Sequence, residues 1–337
     1  MNYIFYVTKM TPPSNINQKV QGILLKYGKK GLETAKKTLN DTKFPPPIQE
    51  ILSYFIEETW PNTHHPALIA LCCQAVNGNP ELTHNLSATI VLLTGAADMH
   101  DDIIDGSKYK SQKQTALGRY NKDLVLLAGD ALLFRGMLLL HQACEEFSPK
   151  KQKAVFDCVE QSFFKIGNAI SSERSLREKP PVDIVAYRKV IESKGGVAQA
   201  CAEIGAIIGG ANPQELNILR HYGKTLGVLM SLKNEFIDLQ DHNELENRLK
   251  NEILPLPLLY AFEDAPAMKR IMALLQGKLT EQKAMKVTEL VMRTEQVQKL
   301  KKEMRNMALA EEKNLEPIKI NVDAFKLLLQ SSLEGIN

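Results

Sequence analysis

Leu86-Ser-Ala-Thr-Ile-Val-Leu-Leu-Thr-Gly-Ala-Ala-Asp98-Met-His-Asp101-Asp102-Ile-Ile-Asp105 sets the fold class of this chain. An apolar run closes in four carboxylates within eight residues. Helical spacing puts Asp98 and Asp102 one turn apart, and Asp101 and Asp105 likewise, so all four lie on or near one stripe. Like charges at that spacing repel by roughly 0.2–0.5 kcal/mol per exposed pair, and by more when partly buried. Such a stripe beside a core calls for a cation. Hard oxygen ligands suit Mg²⁺, which binds through a few carboxylates, waters and substrate phosphates.

The same periodicity extends outward. Helices are expected over about 16–39, 48–58, 65–77, 82–104, 122–146, 150–172, 182–194, 196–210, 214–242, 254–263, 266–276, 280–311 and 321–334. Prolines fall mostly between them, and no alternating apolar run makes a strand. The chain therefore reads as all-α, a single catalytic domain over residues 1–337. It is 44% hydrophobic, enough for a large core. A net charge of +3, few aromatics and one tryptophan give no sign of nucleic-acid binding. Five cysteines without a CxxC pair read as reduced thiols of a cytoplasmic enzyme. Met1 to Lys9 lacks the pattern of a signal peptide. No transmembrane segment is expected, because the richest run, Leu124 to Leu140, is broken by Asp130 and Arg135.

A second acidic cluster ends another long helical pattern: Gly223-Lys-Thr-Leu-Gly-Val-Leu-Met-Ser-Leu-Lys-Asn234-Glu235-Phe-Ile-Asp238-Leu-Gln-Asp241-His242. Two clusters on two helices suggest facing walls of one metal site. The plainer alternative is a polar helix end with Lys233 and Arg248 as ion partners. Between the clusters, Lys194-Gly195-Gly196 lets backbone approach a ligand while the lysine reaches a phosphate; a lysine favouring a helix dipole is the competing reading. The basic segment 106–121 holds Lys108, Lys110, Lys113 and Arg119, either ordinary loop charges or partners of a polyanion. His64 and His65 precede Pro66 without acidic partners at ligand spacing, which favours a helix-start role over metal binding.

These residues carry a family resemblance. Asp101-Asp102-Ile-Ile-Asp105 resembles the first aspartate-rich motif, DDxxD, of trans-type isoprenyl diphosphate synthases. Leu127-Ala128-Gly129-Asp130-Ala131-Leu132-Leu133 is similar to their LAGDxLL segment, Lys194 to their KT lysine, and Leu256-Pro257-Leu258-Leu259-Tyr260-Ala261 to their LPLxYA segment. The resemblance implies a terpenoid-synthase helical bundle around a deep cavity, usually a homodimer, with Mg²⁺ holding an allylic prenyl diphosphate. It makes Asp101, Asp102, Asp105 and Lys194 the expected catalytic residues. Asp101, Asp102, Asp105, Asn234, Glu235 and Asp238 are the expected metal ligands. Lys110, Lys113, Arg119, Lys194, Lys233, Arg248 and Lys250 are the expected substrate contacts.

The departures are as informative. Where chain-elongating members bind isopentenyl diphosphate through a Gly-Lys-x-x-Arg-Pro-like segment, this chain reads Trp60-Pro-Asn-Thr-His-His65. The Arg-Arg pair falls on Lys110-Ser111, the Phe-Gln on Met230-Ser231, and a later lysine on Ile253. The expectation is therefore ionisation of an allylic diphosphate followed by cyclisation or proton loss, as in a terpene synthase. Chain elongation with isopentenyl diphosphate is the alternative, and a non-catalytic partner subunit the third. The resemblance makes Ala96 and Ala97 the chain-length positions, and their small size suggests a substrate of C20 or longer.

Overall fold

The computed structural model describes residues 15–110, 113–179 and 181–336. Met1 to Lys9 and Ser111, which figured in the sequence reading, lie outside the described residues. The chain forms α1 (Asn15–Asn40), α2 (Pro46–Tyr54), α3 (His64–Ala75) and α4 (His84–Asp105). Then come a hairpin of β1 (Tyr109–Lys110) and β2 (Lys113–Gln114), the turn-like α5 (Ala116–Arg119), α6 (Lys122–Cys144), α7 (Pro149–Arg177), α8 (Ile184–Lys194) and α9 (Gly196–Gly209). The last part holds α10 (Pro213–Gln240), α11 (His242–Asn251), α12 (Leu256–Ala261), α13 (Ala265–Leu275), α14 (Glu281–Arg293), α15 (Glu295–Asn314) and α16 (Val322–Ser331).

Local chemistry explains the ends that matter to the cleft. Gly106 stops α4 in the left-handed region, at φ 67°, directly after the acidic stripe. Asn212 and Glu215 form a capping box at the start of α10, with Pro213 in the first turn. α4 and α10 are thus long, well-started rods that carry carboxylates to one end. α3 and α9 are buried almost all round and form the middle of the bundle. α9 packs on α3 and α10, and α4 on α6 and α1.

The α3–α9 crossing is close because Gly205 has no side chain. A Cβ there would stand 2.2 Å from the carbonyl oxygen of Ile69 and 2.9 Å from Cys72 Cβ. This contact holds α9, and the Lys194-Gly195 joint before it, against the core.

Three expectations needed correction. The 106–121 segment is not wholly a loop: Tyr109 pairs with Gln114 and Lys110 with Lys113 in a hairpin too short to show alternation. The expected 280–311 helix is two helices, broken at the buried Thr294. α11 was hidden in polar sequence, where Asp241 caps the amides of Asn243 and Glu244.

One helix, Lys122–Cys144, is long and apolar enough to cross a membrane by length and composition, despite Asp130 and Arg135. One face lies on α4. The other exposes Leu126, Leu127, Met137, Leu138 and Phe134, the last 72% exposed. Phe163 and Phe164 of α7 are exposed as well.

Overpacking generally costs about 1–3 kcal/mol, and here the obstacle is backbone. Gly205→Ala should therefore lower unfolding free energy by about 2 kcal/mol or more, read as a fall in urea midpoint at unchanged m-value.

Candidate active site

The two acidic helix ends do meet. Asp98, Asp101, Asp102 and Asp105 of α4 line one wall of a cleft of about 110 Å³, and Ser231, Asn234, Glu235 and Asp238 of α10 line another. Lys194 stands between them, and Ile166, Ile170 and Ile191 give the cleft an apolar side. Lys194 is placed by close helix contact: a Cβ on Gly227 of α10 would come within 2.2 Å of the Gly195 carbonyl oxygen. Its ammonium pairs with Glu173 of α7 at 2.5 Å. Burial opposes its charge, but Glu173 and Asp101 outweigh that and raise its pKa.

The α4 stripe divides into two pairs. Lys110, from the hairpin, sits 2.9 Å from Asp98 and 2.5 Å from Asp102. Asp101 and Asp105 open onto the cleft beside them. Burial, then Asp101 and Glu252, push Asp105 up to about 8. Burial and the neighbouring Asp98 and Asp101 likewise push Asp102 to about 8, against the pull of Lys110. Groups so disposed hold either protons or a cation.

On α10 the two sequence readings each hold in part. Arg248 reaches the helix end from α11 and is buried. Its guanidinium donates to Glu235 at 2.9 Å, to Asp238 Oδ2 at 2.9 Å and to the Ile253 carbonyl oxygen at 2.6 Å. Glu235 also accepts from the Tyr187 hydroxyl and the Leu256 amide. Its oxygens are therefore taken by protein donors rather than left for a metal. Asp238 keeps one buried oxygen, Oδ1, without a hydrogen-bond partner among the described residues. Burial and the acidic neighbours Glu244 and Glu235 raise its pKa, against Arg248.

The remaining expected substrate contacts lie elsewhere. Lys233 is buried and donates to the Ser331 carbonyl oxygen at 2.6 Å, outside the cleft lining. Lys113 turns to Glu58, Arg119 lies 4.4 Å over the Tyr54 ring, and Lys250 pairs with Glu246 at the surface. In each case a nearer partner holds the cation. The arrangement also brings in residues that no motif announced: Glu252, which lines the cleft, and Glu173, which pairs with Lys194. Glu173 carries no such signal in the sequence.

Pocket depth differs from the sequence reading too. Ala97 lines the cleft, but Ala96 is buried in the core. Gly95 makes room for rings: a Cβ there would come within 2.9 Å of Phe55 and 3.3 Å of Trp60. Those rings stack at 5.8 Å, and the indole Nε1 donates to the Val91 carbonyl oxygen. Bulk missing from α4 is supplied by the segment before α3.

The residues fit a divalent cation held jointly with a ligand. Among the described residues no group of three or more His, Cys, Asp or Glu side chains comes together to hold a metal ion by itself. Asp101, Asp105, Asn234 and the unpartnered Asp238 Oδ1 instead present oxygens from opposite walls. That is the open, few-ligand arrangement Mg²⁺ accepts when phosphate oxygens and water complete its shell.

A second, smaller cavity shares Lys194, Ser231 and Asn234 with the first and extends to His64 and His65. Burial, assisted by His65 and Lys233, lowers His64 to about 3. Burial lowers His65 to about 4, and the Asn62 amide meets its Nδ1 at 2.8 Å. Both imidazoles are neutral, so this cavity is far less cationic than the segment expected at its rim.

Depressed histidines stabilise the fold above their unfolded pKa, near 6.5, and that stability is lost as pH falls toward their folded values. The thermal midpoint should therefore drop between about pH 6.5 and pH 4, and His64→Asn/His65→Asn should flatten that slope in a thermal melt series.

The comparisons agree with this geometry. The short chain isoprenyl diphosphate synthase of Methanothermobacter thermautotrophicus is 25% identical over 227 residues, covering 67% of this chain and 68% of that protein. The geranylgeranyl diphosphate synthase of Sulfolobus acidocaldarius is 24% identical over 190 residues, 56% of this chain and 58% of that one. Among solved structures, geranylgeranyl pyrophosphate synthetase from Pyrococcus horikoshii superposes with a TM-score of 0.80 at 19% identity, covering 94% of this chain and 99% of that chain. Polyprenyl synthase from Caulobacter crescentus, complexed with calcium and isoprenyl diphosphate, gives a TM-score of 0.77 at 17% identity, over 94% and 98%. These likenesses establish the all-α isoprenyl diphosphate synthase fold. With the Polyprenyl synthetase family model matching residues 46–293, the chain belongs to that family.

Proposed function

We propose that the chain transfers the prenyl group of an allylic prenyl diphosphate to isopentenyl diphosphate, as an isoprenyl diphosphate synthase. The observation that carries this is the acidic cleft, where Asp101 and Asp105 stand opposite Asn234 and Asp238 with Lys194 between them. The relatives' names favour condensation over the cyclisation that the missing cations first suggested. Asp101, Asp105, Asn234 and Asp238 would hold Mg²⁺. Mg²⁺, when bound, neutralises charge on the leaving diphosphate. Lys194 and Lys110 add charge-assisted hydrogen bonds to phosphate oxygens. Ile166, Ile170 and Ile191 keep water from the allylic cation.

A specific observation keeps a second reading: the His64–His65 cavity offers little charge to a second diphosphate. In that reading the allylic cation loses a proton or cyclises, as in a terpene synthase. The five unpaired thiols support a cytoplasmic setting. The exposed apolar face of α6 supports a homodimer joined there.

Incubation with C10, C15 and C20 allylic diphosphates and Mg²⁺, with and without labelled isopentenyl diphosphate, tests both readings. Longer diphosphates formed only with isopentenyl diphosphate bear out condensation, and hydrocarbon or alcohol formed without it bears out the second reading. Neither product would leave a non-catalytic subunit. Asp101→Ala should lower kcat/KM by about 100-fold or more, given the several kcal/mol a metal contributes at a transferring phosphate. Phe134→Asp should shift the chain from dimer to monomer in size-exclusion light scattering, with its circular dichroism retained.

A further inference from the structure

Asp98 stands outside the DDxxD pattern, yet it is one of the buried carboxylates of α4. It lies one turn before Asp101 and Asp102, on the cleft side of the helix. Lys110 reaches back from β1 and places Nζ 2.9 Å from Asp98 Oδ1 and 2.5 Å from Asp102 Oδ1. Lys110 itself lines the cleft. The ammonium donates to Asp98 and forms an ion pair with Asp102, so two carboxylates hold one cation. A lysine on one partner swivels about its flexible stem; a lysine between two is fixed. One ammonium against two carboxylates also leaves a net negative charge, so a divalent cation is still attracted.

We propose that Asp98 is a positioning residue that shares Lys110 with Asp102, fixing that ammonium at the cleft edge for a diphosphate group and leaving Asp101 and Asp105 as the carboxylates of α4 that face a metal. This rests on the reading that the cleft takes a diphosphate. It assigns Asp98 no contact with substrate, since it acts through Lys110. The division of the stripe follows: Asp98 and Asp102 serve the lysine, while Asp101 and Asp105 serve the cation.

Trp60, the one tryptophan of the chain, lines the same cleft and gives a binding signal that needs no turnover. Inorganic diphosphate is titrated into the full-length protein with saturating Mg²⁺, and indole fluorescence is followed. Loss of one charge-assisted contact should weaken diphosphate about tenfold in Asp98→Asn and about tenfold in Lys110→Met. The double variant should be no more than about twofold weaker than either single variant, because both remove one device. Asp98→Glu should recover most of the affinity. Lys110→Gln replaces Lys110→Met if the latter does not fold by circular dichroism. In turnover, Asp98→Asn should raise KM for the allylic diphosphate and change kcat by less than about threefold.

Unchanged diphosphate affinity in Asp98→Asn overturns the proposal, whether or not the melting point falls. Effects that multiply in the double variant also overturn it. If wild-type protein binds diphosphate but converts no allylic diphosphate, the proposed activity fails, and the role of Asp98 stands when Asp98→Asn weakens that binding. An active wild type with an indifferent Asp98→Asn removes the role alone. A wild type that binds no diphosphate removes both.

Discussion

The guanidinium of Arg248 meets Glu235 and Asp238 where α10 ends, inside the protein, with the Tyr187 hydroxyl and the Ile253 carbonyl oxygen completing its bonds. Removing one partner from such a buried group typically costs about 3–5 kcal/mol, because the remaining charges lose their compensation. Across the cleft Lys110 does the same for Asp98 and Asp102. Each acidic helix end thus carries its own cation, and each cation comes from the segment that follows the helix in sequence. The fold can therefore close two carboxylate clusters on one another before any metal arrives. Asp101 and Asp105 remain outside these pairs at the cleft, and one buried oxygen of Asp238 remains without a hydrogen-bond partner among the described residues.

That compensation needs accurate helix placement, and glycine provides it at two crossings. Gly205 brings α9 onto α3, and the Gly195–Gly227 contact brings the α8–α9 joint onto α10. Lys194 follows from the second contact. It sits where both cavities meet, and Glu173 steadies it from α7. Packing in the apolar middle thereby sets the position of a cation at the polar end, a link no single motif contains.

The all-α class and the meeting of the two clusters were legible because both rest on helical period, which sequence displays directly. The first wall was read correctly as a stripe, but its division into two pairs depends on where the hairpin returns Lys110. On α10, sequence left metal site and ion-paired helix end as alternatives. Glu235 and Arg248 follow the second, while Asn234 and Asp238 Oδ1 remain compatible with the first. Lys113, Arg119, Lys233 and Lys250 lie outside the cleft lining for one reason. A lysine or arginine near a motif in sequence takes the nearest acid, ring or carbonyl in space, and those partners come from α2, the turn after it, α11 and the end of α16. Trp60 was legible as a departure from the family pattern. Its packing against Gly95, which fills space that Ala96 and Ala97 suggested was open, was not.

The neutral cavity sets the terms on which condensation can work here. A second diphosphate brings two or more negative charges into a space walled by His64, His65 and apolar side chains. Burial holds both imidazoles uncharged before a ligand enters, with pKa values lowered to about 3 and about 4. Burying such charge without partners is prohibitive, so cations must be shared or supplied by the ligand itself. Lys194 borders both cavities and can serve either diphosphate. Lys110 lines only the first, and its two carboxylate partners hold it there. In the proposed condensation, an acceptor diphosphate would lie toward Lys194, away from the histidines. Its hydrocarbon end would then occupy the cavity beside them, where uncharged imidazoles and apolar walls are the suitable surroundings.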